Sequence, residues 1–84
     1  MEFVQTDELG LKRTYYVVTE LDYNDEHFII YSDLLKDKEE EFRLLVGQIQ
    51  NNKVVRVEKI KEDIVKEHFK AIRKDYINYI KEMI

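Results

Sequence analysis

The chain has no cysteine and no proline, and it holds only two glycines and one serine. Without cysteine there is no disulfide, no thiolate metal site and no cysteine nucleophile, so nothing here calls for an oxidising compartment. Without proline, and with glycine confined to Gly10 and Gly47, there is no linker, no low-complexity stretch and no phosphate-binding glycine loop. Ser32 has no GxSxG turn around it. No apolar run approaches the ~20 residues that a bilayer crossing needs. The opening Met-Glu-Phe-Val-Gln-Thr-Asp-Glu carries acids where a secretory leader needs basic residues and then an apolar block. These absences predict a soluble, cytoplasmic, single-domain protein over residues 1–84 that meets no membrane.

What is present suffices for a core. The 84 residues are 44% hydrophobic and 12% aromatic, which argues against disorder. Apolar and polar residues alternate up to about residue 58, and helical spacing follows. Residues 2–5 read as a short strand, and residues 7–10 as a turn closed by Gly10. Residues 13–21, RTYYVVTEL, are β-branched and aromatic, with Tyr15, Val17, Thr19 and Leu21 on one expected face. After a polar turn, residues 27–32 make a partner strand, and the two predict an antiparallel hairpin. A charged connection over 33–41 leads to a strand over 42–49, with Phe42, Leu44 and Val46 on one face. Asn51 and Asn52 suit a tight turn before a last strand to residue 58.

From about 61 to 83 the spacing predicts one helix. Val65, His68, Phe69, Ile72, Tyr76, Tyr79, Ile80 and Met83 fall in a band about 120° wide. Glu62 and Asp63 sit in its first turn, where the helix dipole favours acids. The expected fold class is α+β, a small antiparallel sheet of four to five strands (about residues 2–58) packed by one long C-terminal α-helix.

The stretch LDYNDEHFIIYSD, residues 21–33, gathers four carboxylates around an apolar run. It faintly echoes a calcium loop, but His27 stands where the sharp-turn glycine belongs and Asp33 ends it in place of glutamate. In a hairpin, Asp33 lies at the far end of the strand from Asp22, Asp25 and Glu26. These are expected to be solvated strand ends, with no metal site. Neither His27 nor His68 has a serine or carboxylate predictably beside it, and His68 borders the apolar band. The tyrosines fall at core-facing or strand positions, the ordinary use of an apolar ring with a wet hydroxyl. No catalytic residue, cofactor site or enzyme activity is expected.

Charge is unevenly spread. Residues 1–50 hold twelve acids and five bases, −7, whereas residues 51–84 hold six acids and nine bases, +3. On the expected helix Lys66, Lys70, Arg73, Lys74 and Lys81 lie on one side, with Ile77 in their midst and Ile84 near. A solvated helix back is the ordinary meaning of such a run. The alternative is a contact surface for an anionic partner, or for the acidic residues 37–41 of another copy. A helix of about 24 residues spans roughly 36 Å, longer than a sheet of short strands. Tyr76, Ile77, Tyr79, Ile80, Met83 and Ile84 are therefore expected to overhang and to build part of a homodimer.

The order of elements resembles a known family. A turn with acid and glycine, an apolar strand, the segment Phe28-Ile29-Ile30-Tyr31-Ser32-Asp33, an acidic connection, another strand, and Val57 to Ile60 leading into a helix resemble the small acidic bacterial proteins of the domain of unknown function 1292. The resemblance covers about residues 3–69, with Ser32 where the family has threonine and a longer, more basic helix here. It implies the fold and a bacterial cytoplasmic origin, and it brings no activity or catalytic residues. The expected function is a non-catalytic interaction or accessory module that self-associates or binds another protein. Nucleic-acid or ribosome binding through Lys66, Lys70, Arg73, Lys74 and Lys81 is the second reading, opposed by the overall acidity. A third, an acidic N-terminal half that imitates nucleic acid, rests only on the −7.

Overall fold

The computed structural model describes residues 1–7, 9–36 and 38–83, Met83 by its backbone only. Five strands come first: β1 (Glu2–Thr6), β2 (Lys12–Tyr23), β3 (Glu26–Ser32), β4 (Leu45–Gln50) and β5 (Lys53–Arg56). Two helices follow, α1 (Lys59–Ile72) and α2 (Tyr76–Met83). The strands form one antiparallel meander in chain order. The α+β class and the antiparallel sheet are therefore as the sequence predicts.

Turn chemistry sets the registers. Asn24 and Asn51 each open a two-residue turn whose second members, Asp25 and Asn52, are also left-handed (φ 52–64°). Both central residues of the primed turns that suit twisted hairpins need positive φ, and Asn and Asp tolerate it best. Asp7 organises the first turn: its Oδ1 accepts the N–H groups of Leu9 and Leu11, both at 2.9 Å. Gly10 supplies a φ of 81° there. The rest of the expected 7–10 turn, Glu8, lies outside the described residues, as does Asp37 of the acidic connection.

Alternation sends the two sides of the sheet to different cores. Val18, Phe28, Ile30, Leu44 and Val46 pack with Val65, Phe69 and Ile80 of the helices. Ile29, Tyr31 and Leu45 gather on the other side with Phe3, Tyr15, Val17 and Val54. A bulge between Val17 and Thr19 corrects the expected faces of β2. An extra residue reverses the alternation, so Tyr15 and Val17 face away from the helices while Leu21 and Tyr23 face them. The fourth strand also starts later than expected. Phe42 only bridges Lys36, and the ladder begins at Leu45.

One long helix is the main expectation the structure overturns. The helix stops at Arg73, whose backbone is no longer helical (φ −130°, ψ 81°), and resumes at Tyr76. At ~1.5 Å per residue α1 spans only ~21 Å, against the roughly 36 Å expected of one continuous helix. Continued straight, its apolar side would leave the sheet; the break brings Ile80 to 3% exposure in the helix-side core. Tyr76 and Tyr79 lie against the same core, and the Tyr79 hydroxyl donates to the Val18 carbonyl at 3.3 Å. The expected overhang is thus folded back on its own sheet. Of the residues assigned to it, Ile77 stays 38% exposed, and the Met83 side chain and Ile84 lie outside the described residues. Ile72, expected in the apolar band, is 63% exposed because the chain turns there. Among the described residues no helix is long and apolar enough to cross a membrane.

Candidate functional site

The side of the sheet away from the helices curls into a trough whose two banks, β1 and β5, share no backbone ladder. Gln5 joins them. Its side-chain Nε2 donates to the Val54 carbonyl at 2.7 Å, and its Oε1 accepts the Val54 N–H at 3.1 Å. Beside this link lies a cleft of about 640 Å³ lined in part by Gln5, Asp7, Arg13, Tyr15, Tyr31, Asp33, Arg43, Lys53, Val54 and Arg56.

Period-2 alternation explains why charges crowd this rim. Asp7 continues the phase of Phe3 and Gln5, Arg13 that of Tyr15, and Asp33 that of Ile29 and Tyr31. Arg43 precedes Leu45 by two, and Arg56 follows Val54 by two. The antiparallel registers then set them across one end of the trough, with Gln5 opposite Arg13 and Gly47 opposite Arg56.

Each arginine is held from behind. The Arg13 Nε donates to Asp7, and that guanidinium first, with the Leu11 and Leu9 N–H groups, holds the Asp7 carboxyl below its usual range. Arg43 donates to Asp33, whose other oxygen accepts the Leu35 N–H at 3.1 Å. The Asp33 side chain is 4% exposed, so it is no solvated strand end. Arg56 donates through Nε and Nη2 to the two oxygens of Glu62 on α1, each at 2.9 Å, and the Val46 N–H adds a third bond at 3.1 Å. Burial alone would raise the Glu62 pKa; Arg56 and that N–H outweigh it and bring the carboxyl below its ordinary value.

The floor is aromatic. Phe3 and Tyr15 stack at 5.3 Å, and Tyr15 meets Tyr31 edge-on at 5.4 Å. Burial pushes the Tyr31 hydroxyl up to about 12, so it remains a neutral donor at any physiological pH. The lining carries four cationic and two anionic side chains in a chain of net charge −4. Its fixed N–H donors can bind oxyanions, and among the described lining residues no histidine or serine offers a base or nucleophile.

The contact residues singled out in the sequence lie elsewhere, on the two helices and the turn between them. Lys66 donates to the Leu44 carbonyl at 3.3 Å, Lys70 sits 5.5 Å over the Tyr76 ring, and Arg73 lies 3.8 Å over Tyr79. These three cations serve the joint between the helices and the sheet, whereas Lys74 and Lys81 are exposed. Of the four carboxylates near residue 27, Glu26 pairs with Lys61 at 3.1 Å, and Asp22 meets His27. His27 does have carboxylates beside it: Nδ1 lies 2.7 Å from Asp22 and Nε2 2.9 Å from Glu20. With both ring nitrogens so engaged, no lone pair is left for a metal, and among the described residues no His/Asp/Glu group is arranged to hold one. His68 packs on Tyr23 at 4.6 Å.

Arg13, Arg43 and Arg56 were not singled out from the sequence. Their signal was available: each is a base in phase with the inward apolar residues of its strand. No protein-family model matches the chain, and no curated protein or solved structure matches it either. The candidate site therefore rests on the geometry of this chain alone.

Proposed function

We propose that the protein is a non-catalytic cytoplasmic binding module that takes an anionic segment of another protein in the trough between β1 and β5. The observation that carries this is the set of three arginines, each fixed by a carboxylate, at the rim of a cleft with an aromatic floor. Guanidinium groups that are already oriented lose little freedom on binding, so their bonds to an oxyanion count in full. Lys53 on the β5 bank adds charge that is exposed and that, among the described residues, is in no ion pair.

The reading is tested by titrating a glutamate-rich peptide into the labelled protein and following amide resonances. Shifts should gather at Tyr15, Tyr31 and Val54, and Lys53→Glu should weaken binding several-fold while leaving the fold intact. Binding lost in Lys74→Glu or Lys81→Glu but kept in Lys53→Glu would move the function to the helices. So would RNA retention that falls steeply with salt and depends on those two lysines.

A further inference from the structure

Gln5 and Val54 are joined as two residues of adjacent antiparallel strands would be, by one bond in each direction. Here one partner is a side chain. Its amide has the same donor and acceptor as a peptide group, and it occupies the edge position of β5 where a sixth strand's backbone would bond. Among the described residues β1 and β5 share no backbone ladder, and the cleft begins at this pair. An exposed strand edge is a template for pairing unless something covers it.

We infer that the Gln5 amide is a placeholder, and that the occupant of the trough is an extended segment of a partner protein added as a strand along β5. This rests on the binding reading above and specifies its partner. An incoming peptide group restores both bonds at Val54, so displacing Gln5 costs no hydrogen bond and returns rotamer freedom to its side chain. The cleft volume lies within the ~300–1,000 Å³ range of ordinary ligand sites. Side chains of the added strand alternate. Those on the trough side reach Arg13, Arg43 and Arg56 and must be acidic; those on the other side pass Val55, which is 42% exposed, and suit β-branched residues. The chemical class follows from these two faces: an extended segment alternating acidic with aliphatic residues.

The probe is a blocked hexapeptide of alternating glutamate and valine, compared with a twin N-methylated at alternate backbone nitrogens and with a lysine–valine counterpart. The parent peptide should shift the Gln5 side-chain amide and Val54 N–H resonances of the full chain. N-methylation should weaken it at least tenfold, and the lysine peptide should not bind. Gln5→Ala, checked for folding by its amide spectrum, should bind the parent more tightly because the edge is already uncovered. Equal binding of parent and N-methylated peptides would overturn strand addition and leave the cationic cleft standing. Binding of the lysine peptide as tightly as the parent would overturn the assigned charge. Absence of shifts with every acidic peptide would overturn both readings. Shifts of Val54 produced only by excess unlabelled protein would make a second copy the occupant and overturn the partner class.

Discussion

Arg56 reaches from the last strand to Glu62 on α1 and grips both carboxylate oxygens at 2.9 Å. The carboxylate is 2% exposed and the guanidinium 47%, so the pair spans the boundary between core and trough. Removing the arginine leaves the buried carboxylate uncompensated, at a cost of about 3–5 kcal/mol, and removing the carboxylate leaves the buried Val46 N–H without its acceptor. A chain of this length has a total stability of about 4–13 kcal/mol. Glu62→Ala and Arg56→Ala should each lower the urea midpoint strongly, whereas the double replacement by leucine should recover much of the loss. If Arg56→Ala is neutral, the carboxylate is not anchored as described.

The same pair sets an acid limb. Because the folded-state Glu62 pKa lies below its unfolded value of 4.5, its contribution is present above pH 4.5. It disappears as pH falls through the depressed folded value. Stability measured from pH 6 downward should fall less steeply in Glu62→Gln than in the parent, since the mutant has no such proton to take up.

His27 supplies the opposite sign. Glu20 first and Asp22 second raise its pKa above 6.5. A raised folded pKa gives a contribution fully present below pH 6.5 and lost as pH rises through the folded value. The ring is exposed, so solvent screens the effect, and the clean observable is the titration itself. Proton NMR should find His27 titrating above 6.5, with Glu20→Gln lowering its midpoint more than Asp22→Asn does. A His27 midpoint at or below 6.5 in the parent protein would contradict this.

The sheet was legible because its turns announce themselves: paired Asn24-Asp25 and Asn51-Asn52 mark two hairpins, and alternation marks the strands between them. The bulge at Val17/Thr19 was not legible, since no glycine or charge betrays it. It is forced by the need to put Val17 under Tyr31 and Leu21 under Phe28 at once. The helix break at residues 73–75 was hidden for another reason. Local spacing continues through it unbroken, and the limit comes from the breadth of the sheet, a tertiary quantity. The candidate site is half visible: Asp33 stands out in the sequence, but a charged residue at a strand end reads as solvated until the segment leading into β4 is known to supply Arg43.

Gly47 explains how tightly β4 and β5 can curve. A Cβ there would lie 2.7 Å from Val54 Cγ1, 3.1 Å from Tyr31 Cε1 and 3.1 Å from the Val55 carbonyl oxygen. Val54 sits at an edge and can give, but Tyr31 is 5% exposed and the carbonyl belongs to the backbone. Gly47→Ala should therefore cost about 1–3 kcal/mol, the usual penalty of overpacking. Combining it with Val54→Ala should relieve only part of the loss. An unchanged melting temperature in Gly47→Ala would mean that the trough is wider than described.

The fold-back of α2 makes its own demand on three isoleucines. Ile80 is 3% exposed, whereas Ile72 and Ile77 are 63% and 38% exposed. Ile80→Ala opens a cavity in the helix-side core and should cost about 2–5 kcal/mol, since neighbours held by the sheet relax only partly. Ile72→Ala and Ile77→Ala should each stay within about 0.5 kcal/mol, the range of ordinary surface changes. Tyr79→Phe should lose the bond to the Val18 carbonyl, about 0.5–1.5 kcal/mol. A straight helix predicts another order, because Ile72 would then share the buried band with Phe69 and Tyr76. Chemical denaturation of the four variants decides between them: a loss at Ile72 as large as that at Ile80 would restore the continuous helix and remove the reason for the turn at residues 73–75.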